Sequence, residues 1–294
     1  MKRLSVRHET QYTYGAPVDI GLHLLRLTPP AMDGQHPVSQ SLNISPEPAR
    51  IEAFQDHFGN AVHFVAVEAM HDRFVVTLEA HLELSRPVVV SEGPPWEDVR
   101  DSLRDDGFPA AVRVAEFVYP SPLAFPEPAA TEYAEVSFPK GLPMVVALRD
   151  LTSRIHHDFR YAPNSTSVET RAAEVLKMRR GVCQDFAHLM IAALRGLGIP
   201  ARYVSGYVKT RASDGETARA GSDATHAWVS AWCGADLEWV EFDPTNNLQV
   251  QNEHIVLAYG REFPDATPLR GVILGGGNHT LKVDVAVHNE DGAE

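Results

Sequence analysis

From Lys2 to about Pro87, apolar and polar positions alternate with the period of two that half-buried strands require. Leu4, Val6 and His8 alternate with Ser5 and Arg7, and Tyr12 and Tyr14 carry the pattern up to Gly15-Ala16-Pro17, where a turn is expected. Further runs fall at residues 22–27, 38–44, 50–54, 61–67 and 74–84. Pro29-Pro30, Pro46-Glu47-Pro48, His57-Phe58-Gly59-Asn60 and His71-Asp72 punctuate them. Short strands so closely spaced predict an antiparallel sheet or a sandwich.

The pattern changes around Glu92-Gly93-Pro94-Pro95, after which Pro109, Pro120, Pro122, Pro126, Pro128, Pro139 and Pro143 follow. Prolines at that density forbid long helices and predict a connector with short ones. Helical periodicity then takes over: Val145, Leu148, Leu151 and Ile155 share one face, and a short helix is expected at about 170–178. Phe186, Ala187, Met190, Ile191, Leu194 and Leu197 form the stripe of a longer helix beginning at Cys183, with Gly198 and Pro200 to stop it. Three strands follow, at 202–208, 225–232 and 239–242, the first two separated by a charged loop at 213–223. Leu281, Val283, Val285 and Val287 alternate in one more. The expected organisation is a β-rich unit at 1–90, a connector at 91–140, an α+β core at 141–250, and an extension of one or two strands at 251–294.

Composition narrows the function. The 294 residues carry 26 basic and 39 acidic side chains, a formal charge of −13, and no dense Lys/Arg cluster. Such a surface repels phosphate backbones, which excludes nucleic acid as an expected partner. No apolar run approaches the length of a membrane span, and the start of the chain is too polar for a signal peptide. A cytoplasmic protein without a membrane partner is expected. Two cysteines make no disulfide framework, and no Cys-x-x-Cys or His-Glu-x-x-His spacing suggests a metal site. Cys233, ending a strand-like run, reads as a semi-buried thiol.

Cys183 reads differently. It stands where Gly181-Val182 gives way to an apolar helix, and unpaired N–H groups at a helix start favour a thiolate, the nucleophilic form. His226, on a following strand, can take and return the proton, and Asp243, at the end of the next strand, can orient the imidazole. His188 is a poor partner, because five residues along an α-helix place it about 140° round the axis from the thiol. With Asp185 and Arg195 it forms a polar side whose expected role is to support the helix. His156-His157-Asp158 reads as solvated surface.

In the same order stand Phe159-Arg160-Tyr161, Gly181-Val182-Cys183-Gln184-Asp185-Phe186-Ala187-His188, Gly198-Ile199-Pro200-Ala201-Arg202-Tyr203-Val204-Ser205-Gly206-Tyr207, His226-Ala227-Trp228 and Phe242-Asp243-Pro244-Thr245. With these the chain resembles the transglutaminase-like superfamily. Leu25-Arg26-Leu27-Thr28-Pro29 and Asp56-His57-Phe58-Gly59-Asn60 look like the β-rich module that precedes the core in bacterial members. The resemblance implies a papain-like α+β core, its Cys helix packed on an antiparallel sheet, behind an all-β, sandwich-like N-terminal domain. It also implies Cys183 as nucleophile, His226 as base, Asp243 as orienter, no required metal or organic cofactor, and Trp228 in support. An aromatic at the position of Tyr161 makes that residue a candidate oxyanion donor beside the Cys183 N–H, with Gln184 the alternative.

The expected activity is thiol-dependent acyl transfer by a cysteine peptidase or amidase on a peptide or protein substrate, through a thioester. Protein-glutamine transamidation is the enzymatic alternative, and a noncatalytic interaction module on the same scaffold is the rival from another class. A homo-oligomer is compatible with all three.

Overall fold

The computed structural model describes residues 1–87, 91–103, 111–209 and 225–290, so the charged loop expected at 213–223 lies outside the described residues. Five strands open the chain: β1 (Lys2–Leu25), β2 (Gln35–Ser45), β3 (Arg50–Gln55), β4 (Ala61–Val67) and β5 (His71–Leu84). Short helices α1 (Trp96–Ser102), α2 (Ala111–Ala115) and α3 (Pro128–Glu135) occupy the proline-rich stretch. Then come α4 (Met144–Asp158), β6 (Arg160–Tyr161), α5 (Ala172–Met178), β7 (Arg180–Gly181) and α6 (Cys183–Gly196). β8 (Ala201–Val208), β9 (His226–Trp232), β10 (Trp239–Asp243), β11 (Leu248–Gln249), β12 (His254–Gly260), α7 (Phe263–Ala266), β13 (Leu269–Gly275) and β14 (His279–Asn289) complete the order.

The N-terminal sheet runs β2-β5-β1-β4-β3, and β13 and β14 also pair with β1. No turn forms at Gly15-Ala16-Pro17; the strand bends there and continues. The reason is distant in sequence, since Gly15 N–H donates to Asn278 O at 2.7 Å and Ala16 N–H to Gly276 O at 3.0 Å. The first half of β1 therefore lies between β5 and β14, and the second between β4 and β13. Between the halves Val18, Leu25, Val65, Val67, Phe74 and Val76 form a closed apolar core, which gives the unit its sandwich-like character. Beyond residue 250, where one or two strands are expected, three are found among the described residues.

The second sheet, β11-β10-β9-β8-β12, is antiparallel throughout. On one face, Ala201, Tyr203, Ala227, Val229 and Phe242 pack with Phe186, Ala187, Met190 and Leu194 of α6 in the largest core of the molecule. From Asp185 to Arg195, α6 is buried all round: Asp185, His188 and Arg195, expected on a polar side, are 1%, 0% and 3% exposed. The two sheets meet where Leu4, Val6, Leu78 and Leu82 pack on Tyr207, Ile255 and Leu257. Within that seam Tyr207 OH lies 3.1 Å from His8 Nδ1, and His8 Nε2 lies 2.6 Å from Thr10 Oγ1.

Candidate active site

The start of α6 is built around Asp185. At the third helical position, it accepts the N–H of Val182 on Oδ2 at 2.7 Å, which caps the helix, and takes the Thr166 hydroxyl on the same oxygen at 2.7 Å. Burial raises the Asp185 carboxyl above its ordinary value, against the two hydrogen bonds that lower it. Gly181 leaves room for this arrangement, because a Cβ there would sit 2.7 Å from Asp185 Oδ2 and 2.8 Å from its Cβ. Cys183 is the first helical residue, half-buried against the large core, and it is a free thiol.

β9 and β10 form the hairpin that presents the partners. His226 donates from Nε2 to Asp243 Oδ2 at 2.8 Å, both side chains being fully buried. Asp243 Oδ1 takes the N–H groups of Thr245 and Asn246 at 3.0 and 3.1 Å, so its own turn clamps the carboxylate. Oδ2 also accepts Asn246 Nδ2 at 2.7 Å and His254 Nε2 at 3.0 Å. Burial would raise the Asp243 carboxyl, but the charges and hydrogen bonds of His226 and His254 hold it well below the usual range. Burial likewise opposes charge on His226, yet Asp243 and Cys183 together hold the imidazole above its ordinary value. With Nε2 committed to Asp243, Nδ1 of His226 is buried without a hydrogen-bond partner among the described residues, and it is the nitrogen left for the neighbouring Cys183 thiol. Cys183, His226 and Asp243 are thus brought together from α6, β9 and β10.

The remaining expected residues fall around this line. Tyr161, 36% exposed, stands opposite Gly181 in the parallel β6–β7 pair, beside the turn that delivers Cys183. Gln184 Nε2 donates to Val168 O at 3.1 Å, which commits its amide to the neighbouring loop. His188 is turned away from the thiol: its Nε2 accepts the Phe263 N–H at 3.1 Å, and burial followed by Arg195 lowers it to about 3, so it stays neutral. Trp228 lies 5.9 Å from the His226 ring and donates its indole N–H to Glu241 Oε2 at 2.9 Å. It fits against the sheet because β8 carries Gly206 there; a Cβ would be 2.4 Å from the Trp228 ring. Cys233 is fully buried, and burial pushes its thiol up. His156 and His157 are both exposed, and His156 donates from Nδ1 to Thr245 O at 2.9 Å and so braces the turn after Asp243.

Sequence reasoning missed His254. Its signal was the unbroken apolar run Ile255-Val256-Leu257-Ala258, the mark of a fully buried strand, which places the preceding histidine at the mouth of β12. Tyr203 was also missed as a neighbour; burial, then the proximity of Cys183 and Asp185, keeps its hydroxyl protonated. Among the described residues, His226, Asp243 and His254 offer ligand atoms within 4.8 Å of one another and are the group that could hold a metal ion. Binding one would break the His226 and His254 hydrogen bonds to Asp243, so this set is fitted to its internal bonds rather than to a vacant metal position.

A buried Cys-helix against an antiparallel sheet, with His and Asp on successive strands, defines a class that comparison with known proteins identifies. The chain belongs to the transglutaminase-like superfamily, whose description matches residues 139–244. Ahead of that core, residues 4–83 match the bacterial transglutaminase-like N-terminal region. An uncharacterized Mycobacterium tuberculosis protein is 37% identical over 293 residues, 97% of this chain and 91% of its own length. A protein-glutamine gamma-glutamyltransferase of Pseudomonas aeruginosa is 36% identical over 115 residues, 36% of this chain but only 16% of that protein. Among solved structures, a candidate cysteine protease from Cytophaga hutchinsonii superposes over 100% of this chain and 92% of its own, with a TM-score of 0.71 at 22% identity. That likeness establishes the shared fold. Among the described residues, no helix is long and apolar enough to cross a membrane.

Proposed function

We propose that this protein is a cysteine peptidase or amidase that cleaves a peptide-like amide through a thioester acyl-enzyme. The observation that carries the reading is one buried imidazole, His226, held by Asp243 at 2.8 Å on Nε2, with Nδ1 buried and unpartnered among the described residues and Cys183 near it at the start of α6. Cys183 Sγ attacks the carbonyl carbon while His226 holds the thiol proton as imidazolium, stabilised by Asp243. His226 then gives that proton to the departing amine, the C–N bond breaks and the thioester remains. Water, deprotonated by His226, attacks the thioester, releasing the acid and restoring the thiol. The developing oxyanion is met by the Cys183 N–H, an unpaired first-turn donor, and Tyr161 is the candidate for the second donor.

The partial match to a protein-glutamine gamma-glutamyltransferase supports a second reading, in which an amine replaces water at the thioester. A glutamine-containing peptide offered with a labelled amine separates the two: ammonia release without label means hydrolysis, and incorporation means transfer. The mechanism itself is tested by acid-quenching the protein with a peptide library and mapping adducts by mass spectrometry. An acyl group on the peptide bearing Cys183 is expected, and none in Cys183→Ala. Amidase activity surviving that substitution would refute the mechanism.

A further inference from the structure

On the face of the core sheet opposite α6, a cavity of about 370 Å3 opens where the N-terminal unit meets β8, β10 and β12, within the size range of small-molecule sites. Arg202 lines it, its guanidinium carbon 3.7 Å from the Tyr259 ring centroid and 4.3 Å from that of Trp239. Among the described residues its hydrogen bond is from Nε to Ser230 Oγ at 3.2 Å, so the two Nη groups have no protein acceptor. Arg86, also lining the cavity, donates Nη1 to Glu241 Oε2 at 2.8 Å, and its Nε is buried with no partner. Glu241 takes Trp228 Nε1 and Tyr259 OH as well, each at 2.9 Å. Burial would raise its carboxyl, but Arg86 and these bonds keep it ionised. Two guanidiniums thus face one carboxylate, leaving the inner wall one positive charge in excess, while Asp33 and Glu238 stand exposed at the rim.

A guanidinium braced between two rings explains the stacking but not the unused Nη donors or the excess charge. We propose that the cavity binds a small zwitterion of the amino-acid or dipeptide class, its carboxylate on the Nη edge of Arg202 and its ammonium at Asp33 and Glu238. A planar fork suits a carboxylate, aromatic walls exclude competing water, and the rim carboxylates disfavour a phosphate dianion. The site stands apart from Cys183, since Trp228 lies between Glu241 and His226. It does not depend on the proposed chemistry.

The test is a titration of the full-length protein with the dipeptide Ala-Ala, read at the indole N–H resonance of Trp239, which Trp239→Phe assigns. A saturable shift at millimolar concentration is expected, weakened at least about tenfold when the probe's carboxylate is amidated, and by a similar factor in Arg202→Gln. Because Arg202→Gln removes a stacked group, the amidated probe supplies the same comparison without a variant. Cys183→Ala should bind Ala-Ala unchanged. No saturable shift, equal binding of the amide, tighter binding of inorganic phosphate, or loss of binding in Cys183→Ala would each overturn the proposal.

Discussion

At the residue scale, Asp243 is the hub, because it accepts His226 and His254 on one oxygen and the N–H groups of its own turn on the other. His254 donates from Nε2 to Asp243 and so acts by fixing the carboxylate that fixes the base. Removing a donor from a fully buried carboxylate leaves a lone pair unsatisfied, which costs about 1–3 kcal/mol. His254→Ala should therefore lower the free energy of unfolding by about that much in urea titrations, and slow amide turnover about tenfold as His226 loses its fixed aim. His254→Gln, whose amide can donate to the same oxygen, should recover part of both. An Ala variant matching the parent in stability and turnover would show that the bond does nothing. The proposed second oxyanion donor is testable in the same assay. Tyr161→Phe keeps the ring on β6 and removes the hydroxyl, so kcat should fall about 100-fold with KM little changed. An unchanged kcat would remove Tyr161 from the mechanism.

At the element scale, α6 is positioned by a close fit between three residues in sequence order, Gly181, Val182 and Asp185. In Gly181→Ala the new methyl meets the Asp185 carboxylate, which must swing off the Val182 N–H and give up the cap. A lost N-terminal cap costs about 0.5–2 kcal/mol, and the fraying falls on the turn that carries Cys183. Urea unfolding should show that loss, and iodoacetamide should modify Cys183 at an altered rate; Asp185→Asn, which keeps one acceptor oxygen, should cost less. Unaltered stability and labelling in Gly181→Ala would mean that the turn yields without strain. These elements were legible because their information is local: the α6 stripe, its glycine entry and the β9–β10 hairpin all lie within short windows. β12 was not, since an apolar run without periodicity does not declare its partner, and His254 gains meaning only when β12 pairs with β8 and brings it to Asp243.

At the scale of the whole molecule, the continuous β1 was illegible for the same reason. Residues 276–278 supply the hydrogen bonds that carry it through its bend, and Gly-Ala-Pro read alone is a turn. The buried seam and core also contain histidines that alternation could mark only as inward-facing. His8 and His23 are lowered to about 4, and His188 to about 3, in each case chiefly by burial. In the unfolded chain these groups titrate near 6.5, so below that pH the unfolded state binds protons that the folded state refuses. Their contribution is complete above 6.5 and declines as pH falls toward about 4, by at most about 1.4 kcal/mol per pH unit for each group. His226 does not add to this slope: its value is raised, so its contribution is full below 6.5 and is lost as pH rises through the higher folded value. Asp185, raised by burial, works in the opposite sense, gaining stability as pH falls, but it is one group against three. The urea midpoint should accordingly drop between pH 7 and pH 5, and His8→Gln, which removes the titrating ring between the sheets, should flatten the drop. A midpoint constant across that range would mean that the buried rings take up protons in place, and that the seam opens without unfolding the molecule.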